Sequence, residues 1–207
     1  MRPWTLVGDM NQRRSDFTHP SWQSLAEADI GEAFVVQHKT IERGYRSTQA
    51  ILDFAKPLLP RAERTAQSVQ HRGAAPIVTH KRKPEERDAA AVFEAERLLA
   101  AHTPGSVAII CLPDMTAGLE KALLKRGWLR GTRRGLWARA AQALRLSTPD
   151  SARGIEFDGV VVVEPGEFPT NIGRIGALYT SLTRANKELA VVHSGPLPDP
   201  LRRHGRR

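Results

Sequence analysis

Short apolar runs alternate with longer amphipathic stretches along most of this chain. The clearest apolar run is Val160–Val163, and its unbroken hydrophobicity is typical of a strand covered on both faces. The clearest amphipathic stretch places Ile51, Phe54, Ala55 and Leu58 at the spacing of one helix face. Because strands alternate with helices of about ten residues, we predict an α/β fold with a mainly parallel sheet and helices on both of its faces.

The remaining elements follow from the same two periodicities. Strands are predicted at Trp4–Val7, Phe34–Ile41, Ile77–His80, Ser106–Leu112, Ala141–Leu146 and Leu189–Val192. Helices are predicted at Ser21–Ala28 and at Ala117–Arg126. Another helix begins near Pro84 and should bury a stripe of Ala89, Val92, Phe93 and Leu99. The last predicted helix carries Ile172, Ile175, Leu178 and Leu182 at helical spacing. The basic, glycine-rich segment Trp128–Arg139 fits neither pattern.

Composition narrows the classes of protein that fit. The 207 residues suit one domain with at most a short appendage, and 41% hydrophobic with 26% charged residues is a globular profile. No apolar run approaches the roughly 18 residues of a membrane span. The first apolar run is interrupted by Asp9, whereas a signal peptide needs an uninterrupted apolar core. We therefore expect a cytoplasmic protein with no membrane partner.

The balance of charge points to a polyanionic partner. Lys and Arg number 31 against 22 Asp and Glu, and the net charge of +9 favours nucleic acid first. A GC-rich coding sequence would produce the same excess of arginine without any binding role. Cys111 is the only cysteine and the histidines lack metal-ligand spacing, so we expect neither a disulfide nor a metal site in this chain.

Four polar segments stand next to predicted strands. Ligands of parallel α/β sheets bind at the carboxyl ends of the strands, so we expect chemistry where these segments meet. Singly, each has an ordinary interpretation as a turn, a helix cap or a loop. The segments are Gly8–Gln12, Gly44–Thr48, Ala152–Asp158 and Leu178–Ala185.

In this order the four segments resemble the later motifs of the UvrD/Rep-like superfamily 1 helicases. The family has GDxxQ, YRS and (K)GLEFD segments and one ending in LTRA; this chain has GDMNQ, GYRST, RGIEFD and LYTSLTRA, followed by KELAVVHS, which is similar to the family's last strand. The resemblance runs from Leu6 to about Ser194 and implies a RecA-like fold of the P-loop NTPase type. The spacing from Arg46 to Gly154 leaves no room for the large helical insertion of UvrD and Rep, so the layout is closer to HelD-type or other short members.

The resemblance also implies a site for ATP with Mg²⁺ between two RecA-like domains. Arg184 would be the arginine finger, Arg46 a second phosphate contact, and Tyr45 would stack on the adenine. Glu156 would contact the ribose or the phosphates, at a turn where Gly154 lets the backbone approach the nucleotide.

Other positions carry weaker implications. Gln12 would sense the γ-phosphate, and Thr148 and Thr183 are candidates for contacts to a nucleic-acid strand. The loop after Gln12 departs from the family pattern, so Trp22 has two interpretations. Its indole either stacks on a base or packs against the domain.

The sequence lacks a GxxxxGK[ST] phosphate loop and the upstream Asp-Glu pair that would hold magnesium. We therefore interpret residues 1–30 as the end of a first RecA-like domain, 31–195 as the second, and 196–207 as a basic tail. On this interpretation, the chain is a fragment, the product of a truncated reading frame or half of a split enzyme. The leading hypothesis is the C-terminal motor domain of an ATP-dependent DNA or RNA helicase or translocase, inactive alone, that works with a Walker A-containing domain in cis or trans on single-stranded nucleic acid. The alternative is a non-catalytic RecA-like module that binds nucleic acid or RNA polymerase, as HelD-like proteins do.

Overall fold

The computed structural model describes residues 5–9, 19, 21–25, 27–28, 39, 41, 43–170 and 176–202. The helices are α1 (Trp22–Leu25), α2 (Gln49–Ala55), α3 (Pro84–Ala101), α4 (Thr116–Lys125), α5 (Gly176–Leu182) and α6 (Asp199–Arg202). The strands are β1 (Arg43–Gly44), β2 (Gln67–Ser68), β3 (Ile77–His80), β4 (Val107–Ile110), β5 (Leu129–Arg130), β6 (Leu136–Arg139), β7 (Gln142–Ser147), β8 (Phe157–Val163) and β9 (Ala185–His193).

Seven of these strands form one sheet in the order β3-β9-β8-β4-β7-β6-β5. The pairings of β3, β9, β8, β4 and β7 are all parallel, whereas β5 and β6 add an antiparallel hairpin at one end. A separate pair, β1 with β2, is parallel and precedes the main sheet in the chain. The predicted α/β class with a mainly parallel sheet is confirmed.

The core lies on both faces of the sheet, as the unbroken apolar strands predicted. Val160 and Val162 of β8 pack into one cluster with residues of α2 and α5. Val161 and Val163 point the other way and pack with residues of α3 and α4. Since successive side chains of a strand alternate between faces, the part of a strand that is covered on both faces is apolar at every residue, as at Val160–Val163.

Three sequence predictions differ from the structure. Residues 5–9 have no regular secondary structure where a strand was expected from Trp4 to Val7. Ala89 and Phe93, expected in the core stripe of α3, are exposed, and Phe93 keeps 55% of its surface accessible. The small side chains of Ala91 and Ala95 face the sheet instead, because a helix packs closely where its contact residues are small.

Other predicted elements match, shift or fall outside the described residues. The segment predicted as a helix from Ser21 contains α1, and the predicted strand Phe34–Ile41 lies outside the described residues except at 39 and 41. Part of the predicted basic tail packs on the core, since Leu197 and Leu201 are buried. Among the helices that the structure describes, none is long and apolar enough to cross a membrane.

Candidate nucleotide site

The loop between β1 and α2 presents two exposed side chains. Tyr45 keeps 71% of its surface accessible, and the side chain of Arg46 keeps 64%. Both residues lie between the short β1–β2 pair and the first turn of α2, where the backbone must turn from extended to helical. This loop therefore offers an aromatic ring and a guanidinium to solvent from neighbouring positions.

Side chains near β2 hold the backbone of this loop. The amide Nε2 of Gln70 donates to the carbonyl of Tyr45 at 2.7 Å and to that of Arg46 at 2.8 Å. The hydroxyl of Ser68 donates to the carbonyl of Ser47 at 2.6 Å. Sequence reasoning missed both residues, because a glutamine and a serine in a polar connection carry no signal of which distant carbonyls they will reach.

Glu156 and Arg184 meet at the amino ends of two neighbouring strands. Glu156 immediately precedes β8, and Arg184 immediately precedes β9. Phe157 pairs with Ala185 in the sheet, and the amide of Phe157 donates to the carbonyl of Arg184 at 3.0 Å. The expectation that this chemistry lies at the carboxyl ends of the strands is therefore wrong, because residues that precede parallel strands lie at their amino ends.

Two contacts join the Tyr45–Arg46 loop to this edge of the sheet. Nε of Arg46 lies 2.5 Å from Oε1 of Glu156. The hydroxyl of Ser47 donates to the carbonyl of Thr183 at 3.2 Å. Segments separated by more than a hundred residues of sequence thus come together around Arg46, Glu156 and Arg184.

Arg184 is the buried cation of this group. Only 4% of its surface is accessible, and its Nε donates to the carbonyl of Thr180 at 3.3 Å. Burial lowers the pKa of Arg184 and the nearby charge of Arg46 lowers it further, whereas the carboxylates of Glu156 and Asp9 act in the opposite direction. Two like charges near each other in a partly dry site make it favourable for an anion to bind there.

Asp9 brings the first polar segment to the same place. Its carboxylate interacts electrostatically with Arg184 and with Tyr179, whose pKa is raised to about 12 by burial and by the charge of Asp9. Gln12, the residue of this segment with an implied role, lies outside the described residues. We call the group of Asp9, Tyr45, Arg46, Glu156 and Arg184 the arginine site.

Gly154 occupies a left-handed turn beside the arginine site. Its φ is +74°, and a Cβ built on it would meet no atom within 4 Å. The left-handed conformation favours glycine, and the open space leaves its backbone approachable from solvent.

Two of the three candidate nucleic-acid contacts, Thr148 and Thr183, lie at opposite edges of the sheet. Thr148 follows β7 at the carboxyl edge of the sheet, and its hydroxyl lies 2.9 Å from that of Ser151. Thr183 lies at the opposite edge, where its hydroxyl donates to the carbonyl of Tyr179 at 2.9 Å. Trp22 is half-buried in α1, with its ring close enough to Gly8 that a Cβ there would lie 3.2 Å away.

Comparison with known proteins gives matches among solved structures. No family model matches the sequence, and neither does any curated protein. Among solved structures, the C-terminal domain of a possible DNA helicase from Lactobacillus plantarum WCFS1 aligns over 76% of this chain and 92% of its own, with 28% identity and a TM-score of 0.58. The chain is similar to a helicase C-terminal domain. This likeness supports a helicase-like motor domain, and the assignment to the UvrD/Rep-like branch stays a prediction.

Other solved structures that align with this chain belong to longer proteins and are less similar to it. The PRRSV helicase aligns with 17% identity and a TM-score of 0.35, and this chain spans 23% of its length. The large terminase of a thermophilic bacteriophage aligns with 10% identity and a TM-score of 0.41, and this chain spans 39% of its length.

Proposed function

We propose that this chain is the C-terminal motor domain of an ATP-dependent superfamily 1 helicase or translocase of the UvrD/Rep-like type. Its partners are a Walker A-containing RecA-like domain and single-stranded nucleic acid, DNA in the first instance. The observation that supports this most is the arginine site, where Arg46, Glu156 and Arg184 meet from three distant segments. The likeness to a helicase C-terminal domain supports it independently.

The residues of the arginine site fit a nucleoside triphosphate. Tyr45 offers an exposed ring for the base, and two nearby guanidinium groups suit the charge of the phosphates. Among the described residues, no group of three His, Cys, Asp or Glu side chains could hold a metal ion. We assign Mg²⁺ to the partner domain, because the family resemblance places there the Asp-Glu pair that would hold it.

Each residue then has a role that its chemistry allows. Bound ATP supplies the phosphoryl group whose transfer drives the motor. Arg184, at the amino end of β9, stabilises the negative charge that develops during transfer, and Arg46 helps to orient the phosphates. Glu156 positions Arg46 and contacts the ribose or the phosphates, while Gly154 allows close approach of the backbone.

The positions outside the arginine site keep their implied roles as proposals. Gln12 senses the γ-phosphate, and Thr148 and Thr183 contact the nucleic-acid strand. The hydroxyls of both threonines already take part in local hydrogen bonds, so contact through them requires an exchange of partners. For Trp22, partial burial against Gly8 supports packing over base stacking.

One observation favours the alternative of a non-catalytic module that binds nucleic acid or RNA polymerase. Arg184 is buried, with 4% of its surface accessible, and its Nε is engaged with the last turn of α5. In the non-catalytic module, an arginine in this position would stabilise the end of the helix through its charge and would need no ligand. The experiment that follows separates the two functions.

The test uses the protein that joins this chain to its phosphate-binding domain. Arg184→Ala is expected to lower kcat for ATP by roughly a thousandfold with little change in KM, and Arg184→Lys to restore little of it, because an ammonium lacks the planar fork of guanidinium. Tyr45→Ala is expected to raise KM with a smaller change in kcat, since stacking acts equally on ground and transition states. Steady-state ATPase kinetics measure both.

A matched thermal unfolding series serves as the control for Arg184→Ala. Near-normal kcat together with a lower melting temperature would assign Arg184 to stability and support the non-catalytic module. Loss of kcat with an unchanged melting temperature supports the motor domain.

A further inference from the structure

The positive charge of this protein is concentrated in one part of the sequence. From Lys121 to Arg145 there are eight Lys and Arg residues and no Asp or Glu. The net charge of the whole chain is +9, so this stretch alone holds nearly all of the excess. A composition bias of the genome would spread arginine along the chain without removing the carboxylates from one segment.

This stretch folds as the end of α4, the β5–β6 hairpin and most of β7, at the end of the main sheet. We call residues Leu129–Arg139 the basic hairpin. Its turn exposes Arg133 and Arg134 to solvent. The turn lies at the carboxyl edge of the sheet, because Leu146 near the end of β7 donates its amide to the carbonyl of Gly135 at 2.8 Å.

The turn is closed by backbone hydrogen bonds. The amide of Gly131 donates to the carbonyl of Leu136 at 2.8 Å, and the amide of Leu136 donates to that of Arg133 at 3.0 Å. Gly135 has a φ of +76°, and a Cβ there would lie 2.5 Å from the carbonyl oxygen of Leu146. The two arginines are thus carried on a well-defined turn.

Two tryptophans anchor the basic hairpin from beneath. Trp128 is 0% and Trp137 is 1% exposed. The guanidinium of Arg139 lies 4.7 Å from the ring centroid of Trp128, and that of Arg130 lies 5.8 Å from the ring of Trp137. Because both indole rings are covered, neither can stack on a nucleic-acid base.

The cations at the base of the hairpin are neutralised within the protein. Arg130 pairs with Glu120 at 2.6 Å, and Arg126 and Arg139 both pair with Glu96. Within the part of the chain that the structure describes, Arg133 and Arg134 have no such carboxylate partner. Of the four arginines in the basic hairpin, the two at the turn are therefore the ones left to meet an external anion.

We propose that the basic hairpin is a nucleic-acid contact that binds the phosphodiester backbone, of duplex and single strand alike, without reading sequence. Arginine guanidinium groups are suited to phosphate oxygens, and a site without exposed aromatic rings gives no preference for unpaired bases. The hairpin lies at the carboxyl edge of the sheet, whereas the arginine site lies at the amino edge. The choice of nucleic acid as the polyanion rests on the proposed function, but the site itself does not use the nucleotide.

The test measures binding of the whole 207-residue chain to a labelled 20-base strand and a labelled 20-base-pair duplex by fluorescence anisotropy, across a salt series without nucleotide. The variant is Arg133→Ala with Arg134→Ala. The matched control is Lys81→Ala with Arg82→Ala, which removes two cations that follow β3 at the other end of the sheet.

Loss of two phosphate contacts has a defined signature. The slope of log K against log salt should become shallower by about 1.8 for the duplex and about 1.4 for the single strand in the hairpin variant. The control variant should keep the wild-type slope for the duplex. The hairpin variant should keep the wild-type melting temperature, because its substituted side chains are exposed. A melting curve of the control variant, in which Lys81 is half-buried, checks that its fold is kept.

Three results would overturn the proposal. They are a wild-type slope in the hairpin variant, an equal loss in the control variant, and binding of the single strand with no binding of the duplex. Competition by polyglutamate that depends on Arg133 and Arg134, without any effect of these residues on nucleic acid, would show an acidic protein partner instead. A failure of the Arg184 kinetics leaves these binding measurements unaffected, so the two proposals fail separately.

Discussion

Glu96 organises the base of the basic hairpin through a single carboxylate. It accepts hydrogen bonds from Nε of Arg126 at 3.0 Å, from the indole of Trp128 at 2.9 Å and from Nη1 of Arg139 at 2.6 Å. Burial works against ionisation of Glu96, but the hydrogen bonds from Arg126 and Trp128 outweigh it and hold its pKa below the usual value. One side chain of α3 therefore holds two groups that lie just after α4 and one at the end of β6.

Substitution of Glu96 by Gln should make stability depend on pH in a defined direction. A carboxylate whose folded pKa lies below its unfolded value, about 4.3, stabilises the fold above that pH. That contribution is lost as the pH falls through the folded pKa. The difference in unfolding free energy between wild type and Glu96→Gln should therefore shrink between pH 7 and pH 3, as urea unfolding followed by tryptophan fluorescence would measure.

Glu120→Gln provides the comparison, because Glu120 pairs with Arg130 at a more exposed position. Its effect on stability should be small at every pH, since exposed ion pairs contribute little. A Glu96→Gln effect that stayed constant across the pH range would show that the charge of Glu96 is not what matters.

Individual residues of the arginine site differ in how far the sequence could identify them. The sequence points to Tyr45, Arg46, Glu156 and Arg184 because their segments resemble helicase motifs in order. In the structure these residues lie near one another. Their distances depend on the register between β8 and β9, which no local pattern contains. The bracing role of Gln70 was not predictable, because a side chain that bonds distant carbonyls leaves no periodic trace in the sequence.

At the scale of elements, the basic hairpin depends on glycines that differ in their surroundings. Gly127 and Gly135 have nearly the same φ, +77° and +76°. A Cβ at Gly127 would meet only Cδ of Arg139 at 3.9 Å, whereas a Cβ at Gly135 would press on the carbonyl of Leu146. Alanine substitutions at the two positions therefore distinguish the free-energy cost of a left-handed backbone from that of a clash with a neighbouring carbonyl.

Gly135→Ala should therefore destabilise the protein more than Gly127→Ala. Both substitutions carry the penalty of an alanine in the left-handed region, roughly 1–2 kcal/mol. Gly135→Ala should exceed Gly127→Ala by about 1–3 kcal/mol in the free energy of unfolding, because backbone must move to relieve the clash. Urea denaturation monitored by circular dichroism gives both values, and equal values would contradict the clash.

Elements with a regular pattern of hydrophobic residues were predictable from the sequence. Elements whose burial depends on contacts with distant segments were not. The strand β4 and the Val160–Val163 part of β8 are apolar at every residue because both faces of the sheet are covered there. The basic hairpin has no such pattern, since its tryptophans are covered by arginine side chains that look solvent-exposed in the sequence. In α3, the size of Phe93 indicates a core position, whereas the structure leaves Phe93 exposed and alanines make the contact.

At the scale of the whole molecule, the arginine site occupies an edge of the sheet and offers few groups to a nucleotide. The described residues supply two guanidinium groups and one exposed ring, and the sequence has no phosphate loop. Binding of ATP also costs rotational and translational entropy, which few contacts offset. This small number of groups agrees with the proposal that the arginine site is completed by a second domain.

The 207-residue chain by itself should consequently hydrolyse ATP no faster than buffer and bind it in the millimolar range at best. A steady-state ATPase assay with single-stranded DNA, together with calorimetric titration of ATP, measures both quantities. DNA-stimulated turnover that disappears in Arg184→Ala would mean that the chain completes the site without a second domain. Addition of a Walker A-containing partner domain should restore turnover in the wild type.

The position of Cys111 makes its alkylation rate a measure of how often the core of this protein unfolds. The thiol follows β4, is fully buried in the core on the α3 side of the sheet, and has its pKa raised to about 11 by burial. The thiolate is the form that reacts with alkylating reagents, and at pH 8 only about one thiol in a thousand is ionised at this pKa. Alkylation therefore requires unfolding that exposes Cys111 to solvent. Because the chain has no second cysteine, each molecule is marked once, and the marking rate reports how often its centre is exposed.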